Sequence, residues 1–298
     1  MPNLVGTKER RDIERLVAKI LRDLGNPEPP LKLEAVRDLL SLDLKYYSST
    51  DISPLTEFAH RIRVAGKRLV ENPALMLDVV RKAKLSGLWL PDERKIYIDK
   101  EVPEPKHRWI QAHEITHSFI PWHSKLLLGD DELTLDPTFS ETMEAEANFG
   151  AGNLIFLGDR FPKDARDCAP AFKGIKLLQK SYGNSLTSTF WRFVEERDPA
   201  VAAFGLISQH PRYPEIGQGP NGESVSKFVR SAGFRKRFAN VSPMDVYAIV
   251  ERNASWSRRG PVVGGKDVLV DMAGNTATFV LDGLSNTFYV LTYGYLVV

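Results

Sequence analysis

The sequence predicts an α+β fold in two parts, a mostly helical N-terminal domain with a small β-hairpin over about residues 1–205 and a small mixed α and β domain over residues 206–298. Two observations lead to this prediction. Apolar residues recur at spacings of three and four through much of the first 200 residues, which is typical of amphipathic helices. After a linker rich in glycine and proline at 210–222, strand-like runs separated by glycine turns replace that pattern.

Composition limits the classes of function. The 298 residues carry 40 Lys and Arg against 38 Asp and Glu, so the formal net charge is only +2 and we expect neither nucleic acid nor membrane as a direct partner. Cys168 is the single cysteine, which rules out an internal disulfide framework and a zinc site built from several cysteines. Charged residues near the N-terminus and the lack of a run of about 20 apolar residues favour a cytoplasmic protein.

The elements of the first part follow from periodicity and chain breakers. Apolar spacing predicts a helix at 7–24 that Gly25 ends. Two apolar runs around a polar turn predict a hairpin at 87–99. The remaining predicted elements are a helix at 32–40, a strand at 42–47, helices at 55–70 and 73–84, a helix at 105–119 that Pro121 stops, and a helix at 140–156.

The second half changes from helices to strands. Helices are predicted at 173–182 and 186–196, the latter capped by Ser185, and we interpret 165–205 as a helical annex of the N-terminal domain. The C-terminal domain is predicted to hold a helix within 224–237 and strands at 246–251, 267–271, 277–281 and 288–298.

The chemistry is predicted from the segment Gln-Ala-His-Glu-Ile-Thr-His in the helix at 105–119. Helical geometry places His113 and His117 one turn apart on one face, and Glu114 about 100° around it. Neutral imidazoles suit zinc, and a catalytic zinc site has three protein ligands and an open position for water. The spacing therefore predicts two metal ligands and Glu114 as the base that activates water.

A third ligand is expected from the glutamate-rich segment 141–148. Glu144 is favoured because it shares a helix face with Asn148, whose amide can support the site. Glu146 points about 200° away from Glu144, and Glu141 lies one turn earlier. From the residues alone, both remain alternatives.

These motifs resemble the ImmA/IrrE metallopeptidases. The resemblance rests on His-Glu-Ile-Thr-His, on the downstream Glu144-Ala-Glu-Ala-Asn148-Phe149 and on the apolar tail after it, and it extends over about residues 10–200. It implies a zincin-like metallopeptidase domain with Glu144 as the third ligand. One departure is Gly150, where the family usually has alanine. The C-terminal part matches nothing in the family.

The resemblance also implies a function. It implies a cytoplasmic endopeptidase that cleaves a specific partner, such as a helix-turn-helix repressor, in a stress or mobile-element response. The metal would be zinc or another divalent ion such as manganese. The strand at 95–99 is expected to offer an edge to an extended substrate.

One further histidine and two rival functions complete the interpretation of the sequence. His123, beside Trp122, is interpreted as a loop residue. The rival function is a non-catalytic, metal-containing sensor or binding module that acts through its C-terminal domain. Glu114 counts against it, because a structural metal site needs no base. The small net charge counts against a regulator that reads DNA with the helices at 173–196.

Overall fold

The computed structural model describes residues 5–47, 86–90, 94–123, 137–219 and 222–297. The chain divides into two compact units, Met1–Gly158 and Asp159–Val298. Both contain helices and strands, which confirms the predicted mixture of α and β structure. The helices predicted at 55–70 and 73–84 lie outside the described residues. Within the described ranges, no helix is both long enough and apolar enough to cross a membrane.

The first unit combines amphipathic helices with a small sheet. The predicted hairpin is confirmed, since its two strands pair antiparallel. The described elements are α1 (Thr7–Asp23), α2 (Leu33–Leu40), β1 (Asp43–Tyr47), β2 (Gly87–Leu90), β3 (Lys95–Asp99), α3 (Glu104–Phe119) and α4 (Pro137–Ile155).

The small sheet has the order β1-β3-β2. Strand β3 pairs parallel with β1 on one side and antiparallel with β2 on the other, so the prediction that residues 95–99 offer a free edge is wrong. Its three middle residues, Ile96, Tyr97 and Ile98, are buried, which suits a central strand better than an edge strand. Among the described strands, β2 is the edge on the hairpin side.

Helix α4 packs against both α3 and α1. Gly150 lies in close contact with both neighbouring helices, because a Cβ there would overlap the Thr116 methyl group of α3 and come within 3.1 Å of the Ile13 methyl group of α1. The Arg10 guanidinium also lies over the Phe149 ring, 4.6 Å from its centroid. This packing places the motif helix beside the glutamate-bearing helix.

The second unit is built around an antiparallel sheet of five strands in the order β5-β4-β8-β7-β6. It contains the helices α5 (Arg160–Asp167), α6 (Phe172–Tyr182), α7 (Leu186–Glu196), α8 (Ala232–Arg237) and α9 (Pro243–Asn253), and the strands β4 (Ala203–Ser208), β5 (Val225–Arg230), β6 (Gly260–Val270), β7 (Thr276–Ser285) and β8 (Val290–Leu296).

The helices of the expected annex pack on this second sheet. A Cβ at Gly205 of β4 would come within 2.8 Å of Phe190 and Val194 of α7, so the helix lies directly on the strand backbone. The ring of Phe193 also packs edge-on against Tyr293 of β8, with centroids 5.4 Å apart. The division of the chain therefore falls after Gly158, and the boundary expected near residue 205 lies within the second unit.

Of the elements predicted for the C-terminal part, the helix within 224–237 is confirmed over its last six residues and the strand at 246–251 is wrong. Within 224–237, a strand occupies Val225–Arg230 and only Ala232–Arg237 is helical, because Ser231 breaks the run and caps the helix at the Phe234 N–H. The strand predicted at 246–251 lies inside helix α9. Its β-branched residues suggested a strand, but Ser242 and Asp245 form a capping box that begins a helix.

The other strands predicted for this part are confirmed. Strands β6, β7 and β8 correspond to the strands predicted at 267–271, 277–281 and 288–298. Strands β6 and β7 are longer than predicted, and β8 is shorter by two residues at each end. The core of the second unit contains a cluster of aromatic rings, since Phe204 packs against Phe234 and Phe279 with ring centroids 5.7 and 5.6 Å apart.

Candidate metal centre

Helices α3 and α4 bring the three predicted ligands together. The Nε2 atoms of His113 and His117 are 3.1 Å apart. One oxygen of Glu144 lies 3.1 Å from the His113 Nε2 atom, and the other lies 3.5 Å from the His117 Nε2 atom. Among the described residues, His113, His117 and Glu144 form the one group of three or more histidine, cysteine or acidic side chains that could hold a metal ion.

The donor set fits a divalent cation. A tetrahedral site with bonds of about 2.0–2.1 Å has ligand atoms about 3.3–3.4 Å apart, close to the separations between these three groups. Each imidazole also has a hydrogen-bond acceptor or partner at its Nδ1 atom, at Asn148 for His113 and at His123 for His117. If both Nδ1 atoms carry the protons, three electron-pair donors face one another, and a cation satisfies all of them.

Asn148 supports His113, as its spacing from Glu144 suggested. Its Oδ1 atom lies 3.1 Å from the His113 Nδ1 atom. An amide oxygen can only accept, so in this assignment His113 donates from Nδ1 and keeps the Nε2 lone pair directed at the centre. One turn of α4 thus supplies both the carboxylate and the support of a neighbouring histidine.

Two residues have a different position from the one expected. His123 was expected to be a loop residue, but it is fully buried in a helical turn, and its Nδ1 atom lies 2.9 Å from the His117 Nδ1 atom. Glu146 does point away from Glu144, yet it is also buried, and its Oε2 atom lies 2.9 Å from the His123 Nε2 atom. Trp122 donates from Nε1 to the same oxygen at 2.6 Å.

A signal in the sequence could have identified Glu146. It lies four residues before Gly150 and eight before Leu154, so it falls on the stripe of α4 that is otherwise small or apolar. A carboxylate on a buried stripe requires donors. Two nearby candidates precede it in the chain, Trp122 and His123. By contrast, Glu141 is exposed and does not belong to the three-residue cluster.

Glu114 lies beside the cluster and against strand β2. Only 8% of its surface is exposed, and the backbone N–H of Trp89 donates to its carboxylate. A Cβ at Gly87 would lie 2.7 Å from its Oε1 atom, so the strand backbone covers this side chain closely. Burial raises the pKa of Glu114 to about 7, although the neighbouring His113 lowers it. Such a carboxyl group can exchange a proton near neutral pH.

The electrostatics of the three groups differ. Burial lowers the pKa of His117, which keeps its imidazole neutral and able to donate an electron pair. Burial also lowers the pKa of His113, but the close approach of Glu144 to its Nε2 atom and the charge of Glu114 outweigh burial and raise that pKa overall. The contacts of Glu144 with both imidazoles hold the pKa of its carboxyl group far below its usual range.

Comparisons with known proteins show one similarity in structure and one in sequence. No protein-family model matches the chain. The chain is similar in structure to a Mycobacterium tuberculosis transcriptional regulator, with a TM-score of 0.52, 12% identity, and coverage of 99% of this chain and 89% of that one, which shows a shared fold. In sequence it is 23% identical over 165 residues to the radiation response metalloprotease IrrE of Deinococcus deserti. That match covers 53% of this chain and 56% of the relative, so the two are similar over about half of each length.

Proposed function

We propose that the protein is a metal-dependent endopeptidase in which His113, His117 and Glu144 hold a divalent ion, zinc by preference, and Glu114 is the catalytic base. The observation that carries this proposal is the buried carboxylate of Glu114 beside three convergent ligand groups. A structural metal site has no use for a second carboxylate that is held next to its ligands without being one of them. The similarity to the metalloprotease IrrE supports the same reading.

A divalent ion held by His113, His117 and Glu144 would supply Lewis acidity to polarise the scissile carbonyl and to make water more acidic. Glu114 then takes the proton of the attacking water and transfers it to the amide nitrogen as the C–N bond breaks. Burial raises the pKa of Glu114, which favours return of the proton in the second half of this transfer. The Trp89 N–H holds the carboxylate in place by donating to it.

Strand β2, rather than β3, is the edge that supports substrate binding in this proposal. The backbone N–H of Asp99 donates to the Ser86 carbonyl, which makes these two residues a hydrogen-bonded pair of the hairpin. In an antiparallel pair such residues alternate along the strand, so the backbone N–H and C=O groups of Gly87 and Trp89 point away from β3, toward the open edge of β2. An extended peptide that adds to this edge would run past Glu114. Part of that edge is already used, because the Trp89 N–H donates to Glu114.

The substrate class is proposed from the relative. We propose that the protein cleaves a specific partner protein, such as a helix-turn-helix repressor, in a stress or mobile-element response in the cytoplasm. The C-terminal sheet would then recognise a signal or a partner. The rival function, a metal-containing sensor without catalysis, shares the ligands but assigns no role to Glu114.

Glu114→Gln separates the two functions. The variant keeps the size of the side chain and all three ligand groups, so it should bind zinc with the same stoichiometry while peptide cleavage falls by about 10²-fold or more. Cleavage is measured by mass spectrometry on a panel of folded helix-turn-helix repressors together with a diverse synthetic peptide library, and zinc by elemental analysis. Glu141→Gln, an exposed site on α4, is the matched control. Wild-type cleavage by Glu114→Gln would contradict the proposed base, and zinc binding without any cleavage by the wild type would favour the sensor.

A further inference from the structure

A buried chain of polar groups leads from Glu146 through His123 to His117. The two hydrogen-bond separations, Glu146 Oε2 to His123 Nε2 and His123 Nδ1 to His117 Nδ1, are both 2.9 Å. The exposed fractions of the three residues are 4%, 0% and 7%. A buried carboxylate is costly unless it has donors, so this arrangement requires an explanation beyond packing.

The order of donors along the chain is constrained. The Trp122 Nε1–H group can only donate, and it donates to the same Glu146 oxygen that faces His123. An ionised carboxylate accepts both hydrogen bonds, so His123 donates from Nε2. A neutral imidazole has one N–H, which leaves the His123 Nδ1 atom as an acceptor and makes His117 the donor from its own Nδ1 atom. The His117 Nε2 atom is then free of a proton.

That free nitrogen is the one that faces the cluster. The His117 Nε2 atom lies 3.1 Å from the His113 Nε2 atom and 3.5 Å from a Glu144 oxygen. With the opposite order of donors, the proton would lie on Nε2 and block the position of the metal. The identity of His117 as a ligand therefore depends on two residues that never reach the centre.

We infer that Glu146 and His123 are positioning residues that select the tautomer of His117, orient its ring and raise its basicity as a metal ligand. The inference rests on the metal site of the proposed function. The two ligand histidines are supported differently, since a neutral amide, Asn148, contacts His113, whereas a carboxylate acts on His117 through a second imidazole. A hydrogen-bond acceptor at the second ring nitrogen strengthens the electron-pair donation of a ligand imidazole, and Glu146 makes His123 a stronger acceptor by accepting its Nε2–H.

Glu146 and His123 together form a hydrogen-bonded relay to His117. Replacement of His123 breaks this relay and tests the inference through metal affinity, independently of catalysis. His123→Phe keeps a buried aromatic ring but removes both hydrogen bonds, and we expect zinc affinity to fall about 10- to 100-fold in competition with a chromogenic chelator. His123→Gln carries one donor and one acceptor on the same amide, so it should recover part of that loss. Glu141→Gln, on the exposed face of α4, should keep the wild-type affinity.

The outcomes distinguish this inference from the proposed function. Wild-type affinity in His123→Phe together with lost affinity in His113→Ala would overturn the positioning role and leave the metal site in place. Unchanged affinity in His113→Ala would overturn the metal site, and the inference with it. Equal losses in His123→Phe and His123→Gln would also count against the relay, because the amide should restore the hydrogen bonds.

Tautomers in the wild-type protein supply a test that does not depend on the folding of a variant. Long-range ¹H–¹⁵N spectra of the zinc-loaded full chain, labelled at histidine, distinguish a proton on Nε2 from one on Nδ1. We expect His123 to be neutral with its proton on Nε2, and His117 to carry its proton on Nδ1. A His123 ring with its proton on Nδ1, or with two protons, would overturn the inference.

Discussion

The contact between α3 and α4 at Gly150 yields a quantitative prediction for Gly150→Ala. This change introduces the residue that the ImmA/IrrE pattern usually has at this position. In a helix interior, alanine is more favourable than glycine by about 0.8–1.0 kcal/mol. Here, however, the added methyl group would overlap the Thr116 methyl group and press on Ile13 at 3.1 Å.

Steric overlap should outweigh helix propensity. Thr116 is fully buried and its hydroxyl group donates to the Ala112 carbonyl at 2.8 Å, so its side chain cannot rotate freely to make room. Overpacking a core costs about 1–3 kcal/mol, and the rigid neighbour places this case in the upper half of that range. We therefore expect Gly150→Ala to destabilise the first unit by about 1–2 kcal/mol.

A double mutant isolates the cause. Thr116→Ser removes the methyl group that overlaps and keeps the hydroxyl group that bonds to Ala112. In that background Gly150→Ala should become neutral or stabilising by up to about 1 kcal/mol, because the gain in helix propensity is then opposed only by the 3.1 Å approach to Ile13. Native-state hydrogen exchange of peptides from α3 and α4 measures the local free energies of opening. A stabilising effect of Gly150→Ala in the wild-type background, or equal effects in both backgrounds, would refute the steric argument.

Further predictions concern the second unit. Ser242→Ala removes the capping box of α9 and should lower the unfolding free energy by about 0.5–2 kcal/mol, measured by urea denaturation; an unchanged transition would show that the cap contributes nothing. Hydrogen bonds lower the pKa of Asp271, the largest contribution coming from the Asn275 N–H and a smaller one from the Arg237 side chain. The stability that the ionised Asp271 contributes is therefore present above the ordinary carboxyl pKa and is lost as the pH falls through the lower pKa of the folded state. Asp271→Asn should therefore be less stable than the wild type near pH 7, with the difference shrinking below about pH 4 in thermal melts; a difference independent of pH would contradict this.

The sequence predicted elements best where one local rule acted alone. The periodicity of residues 7–24 and the polar turn of the hairpin correspond to observed elements. Residues 246–251 were mistaken for a strand because β-branched residues dominate them, although the Ser242 cap determines their structure. The packing of α7 on Gly205 is a long-range contact that leaves no local pattern in the sequence.

For the candidate site, spacing on one helix was sufficient to bring His113 and His117 together, and spacing of four predicted the support from Asn148. His123 was misjudged because its burial depends on Glu146, which approaches from another helix. The free edge was assigned to the wrong hairpin strand because β1 pairs with β3 over a sequence separation that the hairpin pattern does not contain. The roles of these residues in catalysis remain predictions.

Gly87 has a consequence for how mutations in this protein would be interpreted. Its backbone needs no glycine for conformational reasons, since its φ angle is not in the left-handed region, yet a Cβ there would lie 2.5 Å from Ile110 and 2.7 Å from the Glu114 carboxylate. A side chain at this position would press on Ile110 and would also displace the Glu114 carboxylate. In a deep mutational scan that scores abundance and peptide cleavage separately, position 87 would therefore behave like a catalytic position, even though glycine has no side chain with which to take part in the reaction.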